Sequence, residues 1–68
     1  MRQQQVDRVL NEEWRGTYGD LAVVIGLSRR SGRAVGQLVR NYAQRHPQWP
    51  HERVYSERTG RPAYEVQL

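Results

Sequence analysis

The stretch Ser31-Gly32-Arg33-Ala34-Val35-Gly36-Gln37-Leu38-Val39-Arg40-Asn41-Tyr42-Ala43-Gln44-Arg45 decides how this chain folds. Wound at about 100° per residue, Val35, Leu38, Val39 and Tyr42 fall within about 100° of arc, which is the apolar stripe of a helix laid on a core. Arg33, Gln37, Arg40, Asn41 and Gln44 fall on the opposite side. They are long hydrogen-bond donors with no carboxylate among them. Pro47 stops the helix.

Upstream, the pattern predicts two more helices. Gln3 to Glu13 carries Val6, Val9 and Leu10 at helical spacing, and Arg15-Gly16 breaks it. Thr17 is then suited to cap a second helix, with Asp20 three residues on in the manner of a capping box. That helix is expected to run to about Ile25, turning Leu21, Val24 and Ile25 inward, with Gly26 as its C-terminal stop. Leu27 anchors the following turn, and Ser28 or Ser31 can cap the third helix. Downstream, Arg53-Val54-Tyr55-Ser56 and Ala63-Tyr64-Glu65-Val66 alternate like strands around the turn Glu57-Arg58-Thr59-Gly60-Arg61. Pro62 suits the first position or the edge of a strand. The order is helix, helix, turn, helix, hairpin. The fold expected is mainly α with a small β-hairpin, a winged helix-turn-helix of three helices plus wing, built as a single domain over residues 1–68.

Composition narrows the function. The chain has 68 residues, eleven arginines and no lysine, seven acids and a net charge of +4. Its pI is ≈ 10.3 and its mean hydropathy −0.94. A chain this short builds one small core and no cleft between lobes. It has neither an apolar run near the roughly 20 residues of a membrane span nor a secretory leader pattern. Without cysteine it has no disulfide, thiolate metal site or cysteine nucleophile. With only His46 and His51, a three-ligand zinc site lacks ligands, so no metal, cofactor or catalysis is expected. A cytoplasmic location follows, on the nucleoid if the source is bacterial. The charge is unevenly spread. Residues 28–45 hold Arg29, Arg30, Arg33, Arg40 and Arg45 with no acid, and the remaining segments nearly balance. Such a patch is either an ordinary solvated face or the footprint of a polyanion, and its lack of acids favours duplex DNA.

The motifs Thr17-Tyr18-Gly19-Asp20-Leu21-Ala22, Gly26-Leu27-Ser28-Arg29-Arg30 and Arg33-Ala34-Val35-Gly36 resemble the DNA-binding half of the alkylguanine-DNA alkyltransferases and of the catalytically dead alkyltransferase-like proteins. The match covers residues 17–36 and extends more weakly through Pro50, Arg53 and Val54 to the hairpin. The resemblance implies a recognition helix in the minor groove. It makes Arg33 the finger that fills the hole left by an extruded base, and Tyr18 the residue that helps rotate the phosphate. It also implies small residues at Ala34 and Gly36 so that the helix backbone can approach the groove. Where the family carries its reactive Pro-Cys-His-Arg-Val, this chain reads Pro50-His51-Glu52-Arg53-Val54, which removes the nucleophile and the histidine that activates it. The sequence ends at Leu68, ahead of the family's C-terminal helix and acidic triad member. Pro50, His51 and Arg53 would then be a remnant of the base pocket.

The residues expected on DNA are Thr17, Tyr18, Arg29, Arg30, Ser31, Arg33, Ala34, Gly36, Gln37, Arg40 and Asn41, with Arg58 and Arg61 at the wing. Tyr18 has the competing role of capping the core beside Trp14, and Trp14 and Trp49 read as core and loop anchors. The four tyrosines do not form a stacking pattern on one sheet face, so an RNA-recognition sheet is excluded. The function expected is a non-enzymatic, monomeric DNA-binding protein that recognises duplex DNA, damaged or alkylated bases included, and serves a DNA-repair or nuclease partner. Two rivals remain open. One is a DNA-targeting module of a larger nuclease or regulatory assembly without lesion preference, and the other a protein-interaction domain that uses the arginine face.

Overall fold

A computed structural model of the chain describes residues 2–62. Helix α1 spans Arg2–Asn11, strand β1 Gly16–Thr17, helix α2 Tyr18–Val24, helix α3 Gly32–Arg45 and strand β2 Val54–Tyr55. Two single-turn 3-10 segments, Arg29–Ser31 and His51–Arg53, lead into α3 and β2. The described residues are thus mainly helical, with a small two-stranded sheet.

Each helix buries the stripe its spacing provides. Val6 and Leu10 of α1 meet Leu21 and Ala22 of α2 and Val35, Val39 and Tyr42 of α3, and Tyr18, Ile25 and Val54 close the core. Val24 is a correction: it is 52% exposed, and Ala22 is the α2 residue that turns inward instead. The helix spans only seven residues. Leu21 and Ala22 set its inner face, and Val24, two positions after Ala22 and so about 200° round the helix from it, is left at the surface. Leu38 and Val9 are partly buried at the margin.

The helix ends follow local chemistry. Thr17 Oγ1 accepts from the Asp20 backbone N–H at 3.0 Å, and Asp20 Oδ2 accepts in return from the Thr17 N–H at 3.4 Å. This is the capping box read from the sequence. At the other end of α2, Gly26 has a φ of 87°, its N–H donates to Val23 O at 3.0 Å, and the Leu27 N–H donates to Ala22 O at 2.8 Å. That pair of bonds is a Schellman stop, which needs a residue at positive φ. Ser28 caps the 3-10 turn through the Arg30 N–H, and Ser31, at the start of α3, makes no side-chain cap. Beyond α3, His46 stacks on Tyr42 with ring centroids 4.2 Å apart, and Trp49 meets the same ring edge-on at 5.3 Å. Trp14 packs over Gly16, where a Cβ would come within 2.6 Å of the indole.

The sheet differs from the expected hairpin. Val54–Tyr55 pairs in parallel with Gly16–Thr17, with Gly16 opposite Val54 and Thr17 opposite Tyr55. The reason is burial: Val54 is fully buried, so the strand lies against the core beside the entry to α2. The expected second strand, at 63–66, lies outside the described residues. The turn before it is present. The Ser56 N–H donates to Arg61 O and the Gly60 N–H to Ser56 O, both at 2.8 Å, and Gly60 takes a φ of 69°. Among the described residues no helix is long and apolar enough to cross a membrane.

Leu21→Ala is expected to lower unfolding stability by about 2–5 kcal/mol, because it hollows the centre of the core. Val24→Ala is expected to change it by less than about 0.5 kcal/mol, as a surface substitution does. Urea denaturation of the two variants beside the wild type checks both values.

Candidate nucleic-acid interface

A surface groove of ≈ 510 Å³ opens where the start of α2, the 3-10 turn at Arg29–Ser31, the first half of α3 and the turn at 56–61 come together. Arg30 comes from the 3-10 turn, Arg33, Gln37 and Arg40 from successive turns of α3, and Arg58 from the turn that follows β2. The i, i+4, i+7 spacing of Arg33, Gln37 and Arg40 sets them in a row along one helix face. Arg30, Arg33 and Arg58 form no ion pair among the described residues. Arg40 Nη1 reaches Gln37 Oε1 at 3.5 Å.

The floor of the groove is made by glycines over a tyrosine. Gly36 lies against the Tyr18 ring, where a Cβ would sit 3.9 Å from Cδ1 and Cε1. Gly32 approaches the backbone N of Gly19 in the same way, at 3.5 Å. A Cβ at either position would still be in ordinary contact, so α3 lies on the start of α2 without crowding there, and Tyr18 and Arg33 line the same groove. Tyr18 itself is 6% exposed and belongs to the core, and it also lines the groove.

Two arginines of the basic stretch are already engaged, which corrects the picture of an acid-free patch. Arg29 Nη1 donates to Asp20 Oδ1 at 2.6 Å and to Glu57 Oε1 at 2.9 Å. Arg45 Nη2 donates to both carboxylate oxygens of Asp7, at 2.7 Å each. Folding brings acids from outside residues 28–45 onto both ends of the patch. Asn41 is likewise committed, since its amide donates to Gln3 Oε1 at 3.0 Å across the α1–α3 contact. Gln3 in turn donates to Leu38 O at 3.0 Å and Asp7 Oδ1 at 2.9 Å.

The remaining expected residues divide. Thr17 borders the groove through its bond to Glu57 Oε1 at 2.8 Å. Ser31, Ala34 and Arg61 do not line it. The expected base-pocket remnant is elsewhere: Pro50 and Arg53 line a second concavity with Arg15, Glu52 and Tyr55, which shares no residue with the arginine groove. His51 Nδ1 stands 3.9 Å from Glu52 Oε2. Glu57 and Ser56 are groove residues that the sequence does not announce. Nothing in the local pattern around Glu57 signals that its turn folds back onto α2.

The ion pairs set the acid response. The Arg29 guanidinium, and after it the Thr17 hydroxyl and N–H, hold the Asp20 carboxyl below its usual value of 3.8. At Asp7 partial burial pushes the pKa up, but the hydrogen bonds from Arg45 and Gln3 outweigh it and the net direction is down. Asp20 in turn, with Glu57 behind it, raises the Arg29 pKa. Burial, reinforced by the nearby Asp7 charge and opposed by Arg45, raises that of Tyr42, whose hydroxyl donates to Asn11 Oδ1 at 2.6 Å.

No protein family, curated protein or solved structure matches this chain.

A carboxylate whose pKa is depressed by folding stabilises the fold above its unfolded value and loses that contribution as pH falls through the lower, folded value. For Asp7 and Asp20 the loss begins below 3.8. Unfolding stability is therefore expected to decline below that pH, and Asp7→Asn to flatten part of the decline. Denaturant titrations at stepped acidic pH check the slope.

Proposed function

We propose that this chain is a non-enzymatic, duplex-DNA-binding module of the alkyltransferase-like kind, in which α2 and α3 serve as a helix-turn-helix and the turn at 56–61 as the root of a wing. The observation that carries the reading is the convergence of Arg30, Arg33, Arg40 and Arg58 from three separate elements on one groove. Planar guanidinium groups suit that task, since each can take a phosphate in a forked pair or stack on a base. Gln37 between Arg33 and Arg40 adds a side chain able both to donate and to accept on base edges.

The resemblance supports a sharper version. Arg33 is exposed at the start of α3, next to Tyr18 and Gly36, which is where the family's motif would place an inserting finger. The glycine floor supports close approach of a sugar-phosphate backbone. The chain holds no cysteine, so alkyl transfer by the family's route has no nucleophile.

A second reading keeps the fold and drops the lesion. In it the chain is a DNA-targeting module of a larger assembly, and one observation favours it: Pro50 and Arg53 line a concavity separate from the one that contains Arg33. Pro50 and Arg53, the expected remnant of the base pocket, share no wall with the groove that holds Arg33. Equal affinity for duplexes with and without one alkylated guanine selects this reading, and tighter binding to the alkylated duplex selects the first.

Three or four phosphates held by Arg30, Arg33, Arg40 and Arg58 give an expected slope of about −2.7 to −3.6 for log K against log salt on duplex DNA. A flat dependence, or no binding at low salt, rejects both readings. Arg33→Ala is expected to weaken binding about 5- to 30-fold without changing the fold. Arg8→Ala, on the exposed side of α1, is expected to leave it within about twofold, as its charge is remote from the groove. Fluorescence anisotropy and circular dichroism of the two variants read these outcomes.

A further inference from the structure

Among the residues that line the arginine groove, Glu57 is the single acid. One of its carboxylate oxygens, Oε1, takes two donors at once: Thr17 Oγ1 at 2.8 Å and Arg29 Nη1 at 2.9 Å. The backbone of Gly19 forms the third side. A Cβ at that position would overlap Oε1 and stand 2.8 Å from Arg29 Cγ. Parts of β1, α2, the 3-10 turn and the turn at 56–61 therefore enclose one anionic oxygen.

A hydroxyl and a guanidinium N–H aimed at the same oxygen are also what a non-bridging phosphate oxygen receives from a DNA-binding protein. The seat does not depend on Glu57 for its shape. Arg29 is held independently by Asp20 at 2.6 Å, and Thr17 Oγ1 is fixed by the Asp20 N–H at 3.0 Å. The hydroxyl accepts that bond and has its proton to give, so an anion that replaced Glu57 would find both donors in place. The seat is also open to water. The side chains of Arg29 and Glu57 are 56% and 46% exposed, and an exposed ion pair is weak enough to exchange with a competing anion.

We propose that the Thr17–Arg29 seat is a phosphodiester site, which Glu57 fills in the unbound protein and yields to the DNA backbone on binding. The proposal rests on the duplex-binding reading above and adds to it a named phosphate contact and an internal competitor. Glu57 then sets an upper limit on non-specific affinity, because each DNA contact at this seat must first displace a tethered carboxylate.

The test compares wild type and Glu57→Gln on a short fluorescein-labelled duplex of mixed sequence over a series of salt concentrations. The amide lacks the charge that competes with phosphate. Glu57→Gln is expected to bind about five- to tenfold more tightly, with a salt slope unchanged to within about 0.5, because the seat takes the same phosphate in both complexes. Thr17→Asp preserves a good helix cap while replacing the hydroxyl donor by an acceptor. In that background Glu57→Gln is expected to bring no gain. An unchanged or weaker affinity for Glu57→Gln, with the wild type binding, overturns this proposal alone. A gain with a slope steeper by about 0.9 also overturns it, since the variant then holds a phosphate at the seat that the wild type never takes. An equal gain in the Thr17→Asp background overturns it as well, because the gain then does not pass through the hydroxyl. The slope decides alone if Thr17→Asp does not fold. If neither wild type nor Glu57→Gln binds the duplex, the duplex-binding reading falls and this proposal falls with it.

Discussion

Thr17 is the residue on which the arrangement turns. Its hydroxyl caps α2, its backbone is paired with Tyr55 across the parallel sheet, and the same hydroxyl reaches Glu57. A helix of seven residues does not persist in water by its own propensity. Its two ends are therefore fixed from outside, by the capping box at Thr17 and by the Schellman turn at Gly26. With α2 held in this way, Tyr18 and Leu21 can face α3, and the third helix lies over Tyr18 at Gly32 and Gly36. The groove is a by-product of that seating.

Local signals are legible in this sequence and long-range ones are not. The apolar stripe Val35, Val39 and Tyr42, the Thr17–Asp20 cap, the Gly26 stop and the Gly60 turn all follow from spacing or backbone preference within a few residues. Each is decided by chemistry that the chain carries locally. The placement of Val54–Tyr55 beside Gly16–Thr17 depends instead on which surface of the core remains uncovered once three helices have packed. Alternating residues announce a strand but not its neighbour. Val24 departs from expectation for a related reason: in so short a helix, one packing partner more or less decides which side of the stripe is buried.

The same distinction governs the charge. Counting along the chain gives the right sign for the 28–45 segment and the wrong extent. Its two ends are neutralised by residues from elsewhere, Asp20 and Glu57 at Arg29 and Asp7 at Arg45. Its middle, Arg30, Arg33 and Arg40, is joined by Arg58, an arginine from a stretch of the chain whose charges balance. Sequence proximity therefore overstates the length of the patch and understates its concavity. That matters for any polyanion, because a row of charges spread over eighteen residues and a cluster facing one groove present different potentials even at equal net charge.

The acids are accordingly as informative about binding as the arginines. Asp7 bonds Arg45 and Gln3 at the α1–α3 contact, where its role is to join two helices. Asp20 serves α2 twice, as capping partner of Thr17 and as anchor of Arg29. Glu57 differs from both. It holds no helix end and joins a turn to the groove through side chains that are half exposed. If Glu57 served only to fasten that turn, an uncharged donor or acceptor would do equally well at no electrostatic cost to a basic surface. A carboxylate there opposes the attraction that its arginine neighbours exert on an anion. The arrangement is physically coherent when the carboxylate is a tenant of a phosphate seat, keeping Arg29 and Thr17 oriented until a backbone phosphate takes its place.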